Sequence, residues 1–227
     1  MTDWLRNIIT DEGIRSAIRV TFTMALCSTA ISSILGIIFG LLLERFQFPG
    51  KRIVIRLNRT LMGVPPVVAG LVVYLLIMRR GPLGSWGILF TVRGMILAQT
   101  LIITPIISGM IYSYARKTAP SVRTFAVTMG AGKWQTVKLI ITELKKEIYF
   151  CAVTGFGRSI SEVGAVMLVG GNIKGRTRTM TTAVSLLKSQ GIFTEGIALG
   201  ILLLVMAFIL QWLCDCLQKE DTEDEND

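Results

Sequence analysis

GMILAQTLIITPIISGMIYSY, residues 94–114, contains no Asp, Glu, Lys or Arg. A helix needs about 20 mostly apolar residues to cross a bilayer, so this stretch predicts a transmembrane helix. Four more stretches have comparable length and apolar character: approximately 17–43, 60–78, 148–170 and 196–217. The second is interrupted by Pro65-Pro66 and the fourth by charged residues, whereas the fifth is uninterrupted. The fold expected is an all-α, polytopic integral membrane protein with about five transmembrane helices. Composition agrees: 52% of the 227 residues are hydrophobic and the mean hydropathy is +0.60, too apolar for an ordinary soluble domain of this size.

The formal charge of +9 is unevenly placed. The last nine residues, KEDTEDEND, hold six of the fifteen acidic groups. The basic residues cluster between the apolar spans, which suits control of topology and attraction to anionic lipid better than nucleic acid. The loop 45–59 holds Arg45, Lys51, Arg52, Arg56 and Arg59, and the loop 116–147 holds Arg116, Lys117, Arg123, Lys133, Lys138, Lys145 and Lys146. The opposite loops, 79–93 and 171–196, hold seven basic residues against those twelve. The bias places the N-terminus outside and the C-terminus inside. It divides the chain into a transmembrane domain, 1–217, with an inside loop at about 116–147, and an acidic tail, 218–227, expected to be disordered.

Several function classes fall away. There is no histidine, so the commonest general base and the commonest metal ligand are both absent. Cys27, Cys151, Cys214 and Cys216 read as small membrane residues and not as a metal or disulfide site. The stretch MTDWLRNIITDEGIRSAIR is polar and amphipathic, without the short apolar core of a signal peptide. GAGKWQT, residues 130–136, has a Gly-Lys step, but a phosphate-binding loop would need glycine at Val127 and Ser or Thr at Trp134. No catalytic residue, metal ligand or cofactor site is expected on this chain.

GAGKWQT belongs instead to a helical hairpin. Val122, Phe125, Ala126 and Met129 make one apolar face, and Pro120-Ser121 reads as the start of that helix. Gly130-Ala131-Gly132 breaks it. Trp134, Val137, Ile141, Leu144 and Ile148 then form a second apolar series flanked by lysines. By pattern alone the hairpin either lies on the lipid surface or docks a soluble partner.

This loop resembles the cytoplasmic Glu-Ala-Ala loop of ATP-binding-cassette importer permeases. Ala126, Gly130 and Ile140 match that family's Ala, Gly and Ile spacing. Arg123 stands where the family has glutamate, and Thr142-Glu143 where it has Leu-Pro, which suggests a straighter helix before the fourth span. FPGKR…GVPPVVAGLVVYLLIMRRGPLG across 48–84, GRSISEVGAVMLVGGNI across 157–173 and KGRTRTMTTAV across 174–184 resemble the molybdate and tungstate branch, the tungstate subgroup most. The resemblance implies a permease subunit that forms a homodimer and docks two ATPase subunits. Ala126, Met129, Gly130, Ala131, Gly132, Lys133 and Trp134 would form the coupling surface. ATP and Mg would sit on those ATPases, an external binding protein would deliver the oxyanion, and nucleic acid has no part.

The interrupted spans are where a pathway is expected. Pro65 and Pro66 remove backbone donors, and such a break is tolerated only in packed protein or beside a wet cavity. It is either a packing kink or part of the pathway. Thr154, Arg158, Ser161 and Glu162, continued by Ala165, fall on one helical face. Arg158 and Glu162 at i,i+4 either form an internal pair or a contact across a dimer axis, or line the path, with Glu162 neutralised by a partner. Lys174, Arg176 and Arg178 form a basic outer loop that either is simply solvated, attracts the anion or docks a binding protein with an acidic rim. Gly36/Gly40 and Gly196/Gly200 permit close helix contact, including between copies. The rival readings are a secondary carrier, for which five spans leave no symmetric pair, and a non-transporting scaffold with a lipid-binding loop.

Overall fold

The computed structural model describes residues 12–223, and these are helical apart from short links and a 3-10 turn at Gly84–Trp86. The helices are α1 (Glu12–Arg45), α2 (Lys51–Met62), α3 (Pro66–Ile77), α4 (Val92–Thr128), α5 (Lys133–Glu143), α6 (Lys145–Ile160), α7 (Gly164–Gly170), α8 (Met180–Ser189) and α9 (Phe193–Glu223). α1 and α4 are each long and apolar enough to cross a membrane unbroken. The pairs α2–α3 and α6–α7 qualify only when each is taken as one bent element, with bends of 104° and 61°. By length and composition the described residues therefore hold two to four candidate spans. The expected fifth span, 196–217, falls within α9, whose apolar part Phe193–Ile209 is shorter than that test requires. The side chains of Cys214 and Cys216, the N-terminal stretch before Glu12 and residues 224–227 lie outside the described residues.

α1 and α4 form the frame. α1 starts with Glu12 and ends with Arg45, each of the sign that the helix dipole favours there. α4 starts on Thr91, whose side chain accepts from the Gly94 N–H. Gly36 faces Ile107 and Gly40 faces Ile111, so the two helices run parallel and in contact. A Cβ at Gly36 would stand 2.7 Å from Ile107 Cγ2, and one at Gly40 2.8 Å from Ile111 Cγ2. These glycines serve packing within the chain. Gly196 and Gly200 make no comparably tight approach. At 1.5 Å per residue the 37 residues of α4 span about 55 Å, well beyond ~30 Å of hydrocarbon.

Four expectations need correction. Pro120 does not begin a helix; α4 runs through it to Thr128. The lost hydrogen bond is offset by packing, because Ala115 and Ala119 are buried against Ile140 and Leu144. The segment 45–59 is not a loop throughout: α2 occupies Lys51–Met62, and the following helix begins at Pro66 and not at 60. The face of Thr154, Arg158, Ser161, Glu162 and Ala165 is not continuous, because the helix stops at Ile160 and restarts at Gly164. The outer segment 171–196 contains α8, whose first turn is buried. In addition, α9 continues as far as Glu223, into the segment read as the acidic tail.

α3 crosses α7 in close contact. A Cβ on Gly70 would lie 2.5 Å from the Ala165 Cα, which is backbone and cannot swing aside. Gly70→Ala should therefore destabilise the folded protein by about 1–3 kcal/mol, the usual range for overpacking. Gly157→Ala, where a Cβ would meet nothing within 4 Å, should not. Thermal unfolding of the two variants in detergent checks this.

Candidate functional site

Two places concentrate unusual chemistry: the junction of the broken helices and the end of the α4–α5 elbow. At the junction, Pro65 and Pro66 occupy the N-cap and first positions of α3, where a missing N–H is no loss. The Val68 and Ala69 N–H groups both donate to the Pro65 carbonyl. The second break, at 161–163, is closed by Glu162. Its Oε1 accepts from the Val163 and Ala165 N–H groups at 3.2 and 3.3 Å, capping α7. Its Oε2 lies 3.2 Å from Arg158 Nη2. Glu162 is 4% exposed, while the Arg158 side chain keeps 36% of its surface open. The Thr181 hydroxyl donates to the Glu162 carbonyl, tying the N-terminus of α8 to the same break.

The two breaks lie side by side. Gly70 packs on Ala165, and a Cβ at Gly164 would meet Val67 Cγ2 at 2.5 Å. The structure thus brings together Pro65, Pro66, Arg158, Ser161 and Glu162. Thr154 sits a turn before Arg158 on α6, its hydroxyl donating to the Phe150 carbonyl. Ser161 is exposed and donates to the Arg158 carbonyl.

The outer basic residues are not equivalent. Arg178 is held by Asn172, donating from Nε to Oδ1 at 3.2 Å and from Nη2 to the carbonyl at 3.3 Å. Lys174 and Arg176 are exposed. The sequence reading missed the threonines between them: Thr177, Thr179, Thr181 and Thr182 are all buried and hydrogen-bonded. The Thr21 hydroxyl accepts from the Met180 N–H, joining α1 to α8. Their signal was the run TRTMTT, in which Thr179 stands as an N-cap with Thr182 three residues on.

At the elbow, Gly130 adopts φ +75°, the left-handed geometry that ends α4. The Ala131 N–H donates to the Ala126 carbonyl, and the Gly132 N–H to Gln135 Oε1 at 2.7 Å. Ala126 is buried, so it packs the elbow and does not project from it. Around it Phe125, Val127, Met129 and Trp134 are exposed, Trp134 at 82%. Gly130, Gly132 and Lys133 are exposed beside them and Ala131 is half-buried. Arg123 pairs with Glu44 through two hydrogen bonds, 3.2 and 2.7 Å, fastening the projecting part of α4 to the end of α1. α5 and α6 are separated only by Leu144, which still accepts from the Ile148 N–H and donates to Ile140.

Residues 32–220 match the family described as binding-protein-dependent transport system inner membrane component. The chain is 40% identical over 210 residues to the tungstate uptake system permease protein TupB of Peptoclostridium acidaminophilum, covering 92% of each. It is 36% identical to a probable anion ABC transporter permease protein of Haloferax volcanii, over 82% of this chain and 83% of that one. The fold is similar to that of a bacterial ABC transporter involved in the import of the acidic polysaccharide alginate, with a TM-score of 0.80 at 17% identity, covering 96% of this chain and 83% of that one.

Arg158→Ala would leave the buried Glu162 carboxylate without its cation. Loss of one partner of a fully buried pair costs ~3–5 kcal/mol. Arg158 is more than a third exposed, so about 1–2 kcal/mol is expected once solvent screening is allowed for. Glu162→Gln keeps an oxygen to cap α7, whereas Glu162→Ala loses cap and charge together. Glu162→Ala should be the less stable of the two by ~1 kcal/mol, read from unfolding in detergent.

Proposed function

This chain belongs to the binding-protein-dependent inner-membrane permeases of ATP-binding-cassette importers, and on that premise we propose that it imports tungstate, with molybdate as the alternative cargo. It is a multi-pass permease that works with a binding protein and ATPase subunits, and is not itself the ATPase. Relatives named for tungstate and, at 28% identity, for sulfate support a tetrahedral dianion as substrate.

In this reading two copies pair in the inner membrane, and α1, α4 and α9 with the bent pairs α2–α3 and α6–α7 provide five crossings per copy. The N-terminus lies outside and the C-terminus inside. α3 has 12 residues, about 18 Å of helix, so it reaches across only part of the hydrocarbon. α3 and α7 both begin at breaks that lie together. Such half-helices recur where solutes cross. Arg158 and the Ser161 hydroxyl face an incoming anion there, with Pro65 and Pro66 shaping the wall and Thr154 a turn further on. Glu162 already occupies the α7 N-terminus and neutralises much of Arg158, so the anion is passed and not trapped. Tight capture belongs to the external binding protein, and Lys174 and Arg176 attract its charged surface or the anion.

The observation that carries the coupling role is the exposed apolar tip of the elbow: Phe125, Val127, Met129 and Trp134 project from a hairpin whose own core is Ala119, Ile140 and Leu144. Met129, Trp134, Lys133 and the Gly130-Ala131-Gly132 turn meet the ATPase. Ala126 acts by setting the angle of α5 on α4. ATP binding draws the two ATPases together and moves the elbows, which shifts the spans between inward-facing and outward-facing states through contacts that differ between them.

Met129→Glu with Trp134→Glu should leave membrane insertion intact and reduce co-purification of the ATPase at least tenfold, since each buries a charge in an apolar contact. Tungstate-stimulated ATP hydrolysis by the reconstituted complex should fall in parallel. If no ATPase accompanies the parent protein, the coupling role is lost and a lipid-bound scaffold takes its place.

A further inference from the structure

Beneath the elbow, a cavity of about 790 Å³ opens between the end of α1, the start of α2 and the middle of α4. Its cations are Lys51, Arg52 and Arg116. Its one carboxylate, Glu44, is already engaged by Arg123 through both oxygens. Lys51 Nζ reaches only the Glu44 carbonyl, and Arg52 and Arg116 have no acidic partner among the described residues. Tyr112 also lines the cavity. It is 7% exposed, yet its hydroxyl makes no hydrogen bond among the described residues. Only the ring is enclosed: the hydroxyl is not among the fully buried unpartnered polar atoms, so it stays accessible and free to donate.

α2 sharpens the point. Its first turn has no acidic residue and carries Lys51 and Arg52, and its Gly50 N-cap supplies no side-chain acceptor. Like charge at the positive end of a helix is unfavourable unless an anion sits there. The rim is apolar: Phe48 is 40% and Ile53 70% exposed. A free inorganic anion would gain nothing from such a rim, whereas a lipid would lay acyl chains along it.

We propose that this cavity binds the phosphate of an anionic phospholipid, with Arg52, Arg116 and Lys51 at the phosphate, Tyr112 donating to it, and acyl chains along Phe48 and Ile53. The lipid bridges α1, α2 and α4 beside the Glu44–Arg123 pair, where the elbow is anchored. The inference rests on the proposed orientation only for assigning this lipid to the cytoplasmic leaflet.

The test uses the full complex of permease, ATPase and binding protein in phosphatidylcholine nanodiscs doped with phosphatidylglycerol in both leaflets. Phosphatidylglycerol retained on mild extraction is measured by mass spectrometry. Because both leaflets carry the probe, a wrong orientation would not abolish retention, and ATPase co-purification reports separately on the coupling role. Each juxtamembrane cation contributes about fivefold to binding an anionic surface, so Arg52→Gln with Arg116→Gln should reduce retention about 25-fold. Tyr112→Phe, which removes a single hydroxyl and preserves the fold, should reduce it about threefold. Arg79→Gln with Arg80→Gln, in the link after α3, should leave it unchanged. Equal retention by parent, double variant and Tyr112→Phe would overturn the proposal. So would saturable binding of inorganic phosphate or tungstate to complexes in phosphatidylcholine alone, if Arg52→Gln with Arg116→Gln abolished it, because the cavity would then be a free-anion site.

Discussion

Hydrocarbon offers no hydrogen-bond partner, so each helix break inside the membrane must be satisfied by the protein itself. This chain meets that demand by placing its two breaks against each other. Pro65 and Pro66 stand where an N–H is not required. The α7 N-terminus is closed by the Glu162 carboxylate, and the Glu162 carbonyl by Thr181. Those closures depend on contact without side chains in between, which Gly70 and Gly164 permit. Arg158 is then drawn in to balance the charge that capping required.

The same economy ties the outer end together. The threonines between Gly170 and Ala183 are buried. Thr177 closes the turn after α7, Thr179 and Thr182 cap α8, and Met180 is held to Thr21 on α1. α1 in turn is packed along α4 through Gly36 and Gly40, so the broken helices rest on an unbroken parallel pair. That pair also extends past the membrane, where Arg123 and Glu44 join the two helix ends beneath the elbow. The elbow, the frame and the junction of α3 and α7 are thus joined by continuous packing and one ion pair.

Much of this was legible beforehand where the physics is local. Apolar length marked α1 and α4, and Gly130 marked the end of a helix because only a left-handed residue closes it there. The spacing of Ala126, Gly130 and Ile140 pointed to the elbow. Local rules failed where tertiary contact outweighed them. Pro120 reads as a helix start, yet the burial of Ala119 and Ala126 carries α4 through it. The stripe from Thr154 to Ala165 fits helical spacing, yet it crosses a break that no residue in it announces. The segment 45–59 reads as a basic loop, but Asn58 is buried and bonded to the Pro105 carbonyl and to Ser108, which holds Lys51–Met62 as helix α2 against α4.

By itself the sequence determined that the chain is an α-helical membrane protein, roughly where it crosses, and that its charged elbow lies outside the hydrocarbon. Each follows from transfer free energies that depend on composition over a short window. Only the tertiary structure decided which partner each interrupted or charged group finds. Glu162 could have turned to Arg158, to solvent or to another helix. Its actual duty, capping α7 while paired to Arg158, arises from distances between segments that no local pattern encodes. The cavity of Lys51, Arg52, Tyr112 and Arg116 is of the same kind, assembled from residues more than fifty positions apart because α1, α2 and α4 meet there.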